Sequence, residues 1–229
     1  MSRYHSSFGR LSSVASATLL VVTLALASCS SAKKPGVQTP PPPTSTGPHL
    51  VAAFVGDSYT VGFGASDLSH RWSTLVAQHF GWTEKNFGIG GTGYAAAAPA
   101  YPTRIPAVAA VNPEVVIVSG GFNDLIQGVT DIQFQQAAYM TFALLRSALP
   151  RARIVAIRPF YPASPPTPRV PVIAEAVRQA VTAVGGIYLD IGSPLAGQTA
   201  DMSIDQIHPN DTGYRSLADA VEGAYTTHK

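Results

Sequence analysis

The chain from residue 49 onward is predicted to fold as one α/β domain, in which a parallel sheet is covered by helices on both faces. Two observations predict this fold. Short, continuous apolar runs recur along the chain, and runs without polar alternation are typical of strands buried on both faces. Between them lie longer segments whose apolar residues recur at helical spacing. Strands that alternate with helices in this way are characteristic of parallel sheets with helical crossovers.

The individual elements follow from these patterns. Strands are predicted at residues 50–55, 115–118, 154–157 and 187–189, with a weaker candidate at 83–87. Helices are predicted where apolar residues share one face, at residues 72–80, 134–149, 173–184 and 214–225. Gly81, Pro150 and Gly185 are the stop signals of the first three helices.

Residues 1–28 are predicted to be a signal peptide. The segment begins with basic residues, and its apolar stretch is shorter than the roughly 20 residues that a bilayer span needs. Its end, Leu26-Ala27-Ser28-Cys29, resembles a lipobox, which implies cleavage before Cys29 and a lipid on the thiol of that residue. An ordinary cleaved signal and a retained, uncleaved anchor are the alternatives.

Residues 29–48 are predicted to be an extended tether, because the run Pro40 to Pro43 and its Ser, Thr and Gly neighbours cannot bury a core. A lipid on Cys29 would then hold the domain, residues 49–229, near the outer face of a bacterial cytoplasmic membrane. No cysteine follows Cys29, so the exported domain is expected to rely on its core without a disulfide.

Charge excludes one class of partner. Four of the 15 basic residues precede residue 49 and all 13 acidic residues follow it, so the domain carries a net charge of 11 − 13 = −2. No basic stripe is present that would bind nucleic acid. The length of the domain is sufficient for one well-buried core and short for two, and we expect a monomer.

Polar signatures follow the predicted strands at their carboxyl ends. Ser58 follows the first strand, glycines at 88–93 the second, the segment 120–124 the third, and Asp205 with His208 the last. Ligands of open parallel sheets bind in the crevice beyond the carboxyl ends of the strands. We therefore expect all four signatures on one rim of the sheet.

Ser58, His208 and Asp205 are the candidate catalytic residues. A serine hydroxyl becomes an effective nucleophile when a base takes its proton, and a carboxylate that accepts the other ring N–H of a histidine fixes the tautomer of that base. Taken singly, each motif also has a structural explanation. Ser58 could cap the next helix, and residues 209–212 form a natural helix start behind Asp205 and His208.

Acyl transfer also requires hydrogen-bond donors for the oxyanion. The glycines after the second strand allow close backbone approach to a ligand, and Asn123 offers a side-chain N–H. The alternative for Asn123 and Asp124 is a turn or helix-cap pair.

Four blocks in this order resemble the SGNH (GDSL-like) hydrolase family. They are Gly56-Asp57-Ser58, Asn86-Phe87-Gly88-Ile89-Gly90-Gly91-Thr92, Gly121-Phe122-Asn123-Asp124 and Asp205-Gln206-Ile207-His208-Pro209. The resemblance spans essentially the whole domain and implies a three-layer αβα, flavodoxin-like fold with about five strands.

The resemblance also implies residue roles. Ser58 would be the nucleophile, Asp205 and His208 would complete the triad, and Gly91 and Asn123 would donate to the oxyanion with the Ser58 amide. Gly90 is adjacent, so that the donor could be either glycine. The chain departs from the family at Tyr59, where the family name has leucine.

Two other functions fit the sequence less well. The glycines at 88, 90 and 93 fit a dinucleotide fingerprint, but the helix it requires would run into Pro99, and the acidic Glu114 lies at the wrong end of its strand. A metal phosphoesterase could use the acidic rim residues and His208, but no second histidine or glutamate completes a ligand shell. We expect no cofactor and no metal.

The chain is therefore interpreted as a serine ester hydrolase that acts through an acyl-enzyme on an acetyl or short acyl ester of an envelope glycan or lipid. The alternative is a non-catalytic lipoprotein that binds glycans or lipids on the same fold. Phe160 and Tyr161 in the Pro-rich loop, together with Tyr94 and Tyr101, are expected to border the rim and to contact the substrate.

Overall fold

The computed structural model describes residues 49–162 and 167–228. The predicted signal peptide, Cys29 and the tether lie outside the described residues, as do residues 163–166 of the Pro-rich loop.

The described residues contain a five-stranded sheet in which every pairing is parallel, in the order β2-β1-β3-β4-β5. The strands are β1 (Val51–Gly56), β2 (Thr83–Gly88), β3 (Val115–Val118), β4 (Arg153–Ile157) and β5 (Ile187–Leu189). All five predicted strands are confirmed. The weak signal of β2 has a physical reason, because this edge strand is partly exposed along its length and carries polar residues.

Seven α-helices are described, and two short 3₁₀ turns at Leu68–His70 and Thr199–Asp201 accompany them. The helices are α1 (Ser58–Val61), α2 (Trp72–Phe80), α3 (Tyr101–Ala110), α4 (Phe122–Ile126), α5 (Asp131–Ala148), α6 (Arg169–Ala183) and α7 (Asp211–Thr226). Four of them match the predicted helices. None of the helices in the described residues is both long and apolar enough to cross a membrane.

Alternate side chains of each strand enter two separate cores. Val116 of β3 packs in the core beneath α3, α5 and α6, whereas its neighbour Ile117 packs in the core beneath α2 and α7. A strand residue points to the opposite face from the next one, so a continuous apolar run supplies both cores at once. The predicted three-layer αβα architecture is confirmed.

Helix α3 was not predicted from the sequence. Its first turn contains Pro102, which the start of a helix tolerates, but Pro106 lies in its interior and removes one backbone donor. With Pro99 also just ahead of it, the segment carries the signature of a loop. The buried side chains Tyr101, Ile105 and Val108 stabilise the helix against the sheet instead.

The strand register brings the carboxyl ends of β1, β2 and β3 side by side. Gly56 pairs with Gly88, and Val55 pairs with Val118. Since β1 lies between the other two strands, the segment that follows it is flanked by the loops that follow β2 and β3.

Candidate active site

Ser58 is the first residue of α1, two positions after the end of β1. Asp57 caps this short helix, because its carboxylate accepts the N–H of Tyr59 at 3.0 Å. The turn is tight, and a Cβ on Gly56 would overlap the hydroxyl of Thr60. The strand-to-helix turn therefore fixes the position of the Ser58 hydroxyl.

The structure brings Ser58, His208 and Asp205 into one chain of hydrogen bonds. The Oγ of Ser58 lies 2.9 Å from Nε2 of His208, although 150 positions separate the two residues. Nδ1 of the same ring lies 2.6 Å from Oδ2 of Asp205. These are hydrogen-bond distances, and the order hydroxyl, imidazole and carboxylate is the one that serine activation requires.

Asp205 is held by its own loop. Its Oδ1 accepts the Ser203 hydroxyl at 2.8 Å and the backbone N–H groups of Ile207 and His208 at 2.9 Å each. Partial burial opposes ionisation of the carboxyl, but the hydrogen bonds from His208 and Ile207 outweigh it and hold the pKa of Asp205 below its usual value. Asp205 is therefore a carboxylate at neutral pH, with both oxygens already committed.

Besides the Ser58 amide, the predicted oxyanion donors are Gly91, on the loop after β2, and Asn123, in the first turn of α4 after β3. Nδ2 of Asn123 donates to the carbonyl of Thr92 at 2.9 Å, so that the amide is fixed against the glycine loop. Gly91 has φ of +76°, which favours glycine. A Cβ on Gly90 would lie 3.8 Å from Cβ of Ser58, which locates the Gly90 backbone against the serine.

Asp124 is buried and closes the glycine loop. Its carboxylate accepts three consecutive backbone N–H groups, from Tyr94, Ala95 and Ala96, at 2.7 to 3.0 Å. A Cβ on Gly93 would overlap this carboxylate, which explains the glycine at that position. Close packing against Asp124 therefore explains the last glycine of the fingerprint-like pattern without a nucleotide. The helix that a dinucleotide site requires directly after these glycines is absent from this part of the described chain, since α3 begins only at Tyr101.

Arg104, which was not predicted from the sequence, connects the glycine loop to the ends of β1 and β2. Its buried guanidinium donates to the carbonyls of Gly56 and Phe87 at 2.9 and 2.7 Å, and to the hydroxyl of Thr92 at 3.0 Å. The ends of β1 and β2 are thereby joined to the glycine loop. Two of its partners are backbone carbonyls, which leave no pattern of side chains in the sequence.

The expectation that Tyr94 and Tyr101 border the rim is wrong. Both are fully buried in the core beneath α3, α5 and α6, where their rings lie 4.9 Å apart and Tyr94 also contacts Phe134. A tyrosine has enough apolar surface to be a core residue, and here both rings point into the core, that of Tyr101 from the first residue of α3. Phe160 packs against the ring of Tyr59 instead, at 5.2 Å.

A cavity of about 320 Å³ lies beside the loop that carries Asp205 and His208, since Gln206 and Ile207 line it. Its lining residues are Phe122, Tyr161, Pro162, Gly197, Gln198, Thr199, Met202, Gln206 and Ile207. Phe122 precedes Asn123 and Ile207 precedes His208, so the cavity lies at the same rim as the candidate catalytic groups. None of the lining side chains is charged, and the rings of Phe122 and Tyr161 contact each other at 5.3 Å.

No group of three or more His, Cys, Asp or Glu side chains within residues 49–162 and 167–228 is arranged to hold a metal ion. The acidic residues that the phosphoesterase alternative would use have other partners. Asp57 and Asp124 accept backbone N–H groups, and Asp205 accepts from its own loop and from His208.

Comparison with known proteins assigns a family. The sequence model of the GDSL-like Lipase/Acylhydrolase family matches residues 54–216. No curated protein sequence matches the chain significantly.

Several solved structures share its fold. A protein from Lactobacillus plantarum superposes with a TM-score of 0.66 and 23% identity, over 79% of this chain and 98% of the other. A psychrotrophic esterase from Pseudoalteromonas sp., inhibited by monoethylphosphonate, superposes with a TM-score of 0.65 and 17% identity, over 78% of this chain and 97% of the other. A variant of an acetyl xylan esterase from Geobacillus stearothermophilus superposes with a TM-score of 0.58 and 18% identity, over 75% of this chain and 92% of the other. At these identities the likeness is one of fold.

Proposed function

The chain belongs to the GDSL-like lipase/acylhydrolase family, and from this premise we propose that it hydrolyses carboxylic esters through an acyl-enzyme on Ser58. Family membership supports a hydrolase of esters. The observation that carries the finer proposal is the continuous hydrogen-bonded chain from the Ser58 hydroxyl through His208 to the Asp205 carboxylate.

In the proposed reaction, Oγ of Ser58 attacks the acyl carbon of the ester while Nε2 of His208 takes the hydroxyl proton. Asp205 holds the Nδ1–H of the imidazolium that forms and keeps the ring in place. The tetrahedral intermediate then collapses, His208 returns the proton to the departing alkoxide, and the alcohol leaves. A water molecule, deprotonated by the same histidine, attacks the acyl-enzyme and releases the carboxylic acid with free Ser58.

The negative charge of the tetrahedral intermediate would be stabilised by the backbone N–H of Ser58, the backbone N–H of Gly91 and Nδ2 of Asn123. The bond from Asn123 to Thr92 supports this role, since an amide that is already fixed needs no reorganisation during the reaction. Loss of one such donor typically lowers turnover about 10²–10³-fold.

The cavity beside the loop that carries Asp205 and His208 supports an uncharged substrate. Its size lies at the lower end of the range for ligand pockets, and its lining of aromatic, aliphatic and amide side chains offers no ionic partner. A short acyl group fits such a site, and the acetyl xylan esterase among the structural neighbours is consistent with that preference. We propose an acetyl or short acyl ester of an envelope glycan or lipid, met by a domain that a lipid on Cys29 anchors at the outer face of the cytoplasmic membrane.

Active-site labelling tests the chemistry. A fluorophosphonate probe should label the wild-type protein, and Ser58→Ala should abolish labelling and lower the hydrolysis of p-nitrophenyl acetate and butyrate by roughly 10⁴–10⁶-fold. Ser147→Ala removes a serine hydroxyl from the exposed face of α5 and serves as the matched control, with labelling and turnover unchanged.

Equal labelling of the wild type and Ser58→Ala would contradict Ser58 as the nucleophile. A wild-type protein that is folded, unlabelled and inactive on both esters would support the alternative of a non-catalytic binding protein. A panel of acetylated glycans, short acyl esters and long-chain lipids, with Ser58→Ala as the blank, then defines the substrate.

A further inference from the structure

Tyr59 occupies the position where the family pattern has leucine, directly after the candidate nucleophile. Its side chain is 2% exposed, and its hydroxyl donates to the carbonyl of Ile207 at 2.6 Å. The ring centroid of Tyr59 lies 5.9 Å from that of His208. One residue of α1 therefore contacts the loop that carries the candidate base.

The bond to Ile207 fixes one end of a particular peptide plane. The carbonyl of Ile207 and the N–H of His208 belong to the same peptide unit, which is planar and rigid. Tyr59 binds the carbonyl end, and Oδ1 of Asp205 accepts from the N–H end at 2.9 Å. With both polar ends held, the backbone from which the His208 side chain starts has a defined orientation.

We propose that Tyr59 is a positioning residue for His208, whose hydroxyl holds the Ile207 carbonyl and so keeps Nε2 of the imidazole within reach of the Ser58 hydroxyl. The proposal rests on the function proposed above. A leucine at this position would have no donor with which to hold that carbonyl.

A further observation fits this role. Burial raises the pKa of the Tyr59 hydroxyl well above its usual value, so the group stays protonated and remains a donor throughout the neutral range.

The first test removes only the hydroxyl. Tyr59→Phe should lower kcat on p-nitrophenyl butyrate about 10- to 100-fold while KM changes less than about twofold, because misplacing a catalytic group by about 1 Å costs up to about 10²-fold. Tyr59→Leu, the residue of the family pattern, should behave in the same way. In the control Tyr225→Phe, the lost hydroxyl accepts from Arg153 at the opposite end of the sheet, and kcat should not change.

The second test needs no activity and separates this proposal from the proposed function. The Nδ1 proton of His208, bonded to Asp205, should give a downfield proton NMR signal in the wild type and in Tyr225→Phe. In Tyr59→Phe the signal should shift and exchange faster with water. An inactive wild type that shows this difference retains the positioning role and rejects only the esterase.

Wild-type kcat and an unchanged His208 signal in a folded Tyr59→Phe would overturn the proposal. If neither variant folds, the wild-type protein still decides the question. A slowly exchanging Tyr59 hydroxyl proton with a nuclear Overhauser effect to protons of the Ile207–His208 segment would support the contact. Absence of that effect would overturn the proposal.

Discussion

Asp57 lies directly before the candidate nucleophile and is almost completely buried. Burial is the main reason that its pKa rises from 3.8 to about 6, and the nearby charge of Asp124 contributes in the same direction. The N–H of Tyr59 and the positive charge of Arg104 act against this rise. The carboxylate of Asp57 caps a helix of one turn, and the cost of this cap is a negative charge in the protein interior.

This cost predicts a pH dependence of stability. A carboxyl whose pKa is higher in the folded than in the unfolded protein binds more protons in the folded state between about pH 4 and pH 6, so its contribution to stability falls as the pH rises through that window. A shift of about two units corresponds to about 3 kcal/mol. Asp57→Asn keeps an acceptor for the Tyr59 N–H and removes the charge. Its unfolding free energy, relative to wild type, should increase by about 2 kcal/mol between pH 4 and pH 7, because part of the change already occurs below pH 4. Urea unfolding measures this difference.

Asp57→Ala is the control for the hydrogen bond, since it removes charge and cap together. It should gain the same pH-dependent difference but lie about 1 kcal/mol below Asp57→Asn at every pH. A difference between Asp57→Asn and wild type that does not vary with pH would show that Asp57 has an ordinary pKa.

At the residue scale, the candidate catalytic residues could be predicted from the sequence, because their chemistry depends on side chains that follow strands. Ser58, Asp205 and His208 were singled out by residue type and position, and the structure brings them together. Arg104 and the contact of Tyr59 with Ile207 could not be found in this way. Their acceptors are backbone carbonyls from distant segments, and a carbonyl is present at every residue.

At the scale of elements, the conformation of the glycine loop after β2 depends on side chains from the first turn of α4. Asp124 of α4 satisfies three backbone N–H groups of that loop, and Asn123 of the same helix bonds the carbonyl of Thr92. The glycine loop and α4 therefore form one unit, and the spacing between them is set by contact of the Asp124 carboxylate with Gly93.

Gly93→Ala should break this unit. Its Cβ would displace the Asp124 carboxylate from the backbone donors, and hydrogen bonds to a charged group contribute about 1.5–3 kcal/mol each. We expect the free energy of unfolding to fall by at least about 2 kcal/mol and esterase turnover to fall with it. Thermal unfolding and p-nitrophenyl butyrate hydrolysis are the measurements.

Gly223→Ala is the matched control for Gly93→Ala. Gly223 lies in α7 with no atom within 4 Å of an added Cβ, so the alanine should raise stability by about 0.5–1 kcal/mol through helix propensity alone. Similar stabilities for the two variants would contradict the packing of Asp124 on Gly93.

The elements were predicted well wherever burial on two faces left a continuous apolar run, as in β3 and β4. Helix α3 was missed because tertiary burial of Tyr101, Ile105 and Val108 outweighs the local effect of Pro106. The same error put Tyr101 at the rim, since a segment without an assigned helix has no predictable inward face. Tyr94 precedes α3, in a loop whose inward direction leaves no periodic pattern in the sequence.

At the scale of the whole molecule, the described domain contains every residue of the proposed site, from Asp57 to His208. Nothing in the chemistry requires Cys29, which leaves the anchor to determine location only. We propose that Cys29 carries a lipid and that the segment up to residue 48 acts as a tether.

Metabolic labelling with an alkyne fatty acid tests the anchor. The wild-type chain should incorporate the label, and Cys29→Ala should not, because the thiol is the attachment site. The purified variant should retain wild-type kcat on p-nitrophenyl butyrate and the same Tm. An unlabelled wild type would leave an ordinary cleaved signal or an uncleaved span as the explanation of the leader, and a large loss of kcat in the variant would show that the domain depends on its N-terminal segment.

The 150 positions between Ser58 and His208 have a consequence during synthesis. A ribosome that makes this polypeptide completes the nucleophile's strand long before the histidine's loop, which comes just before α7. A nascent chain therefore cannot hold the base beside its serine until the loop that carries His208 has been made. Under the proposed mechanism, fragments that end before this loop are chemically silent and cannot attack the esters of the cell that makes them.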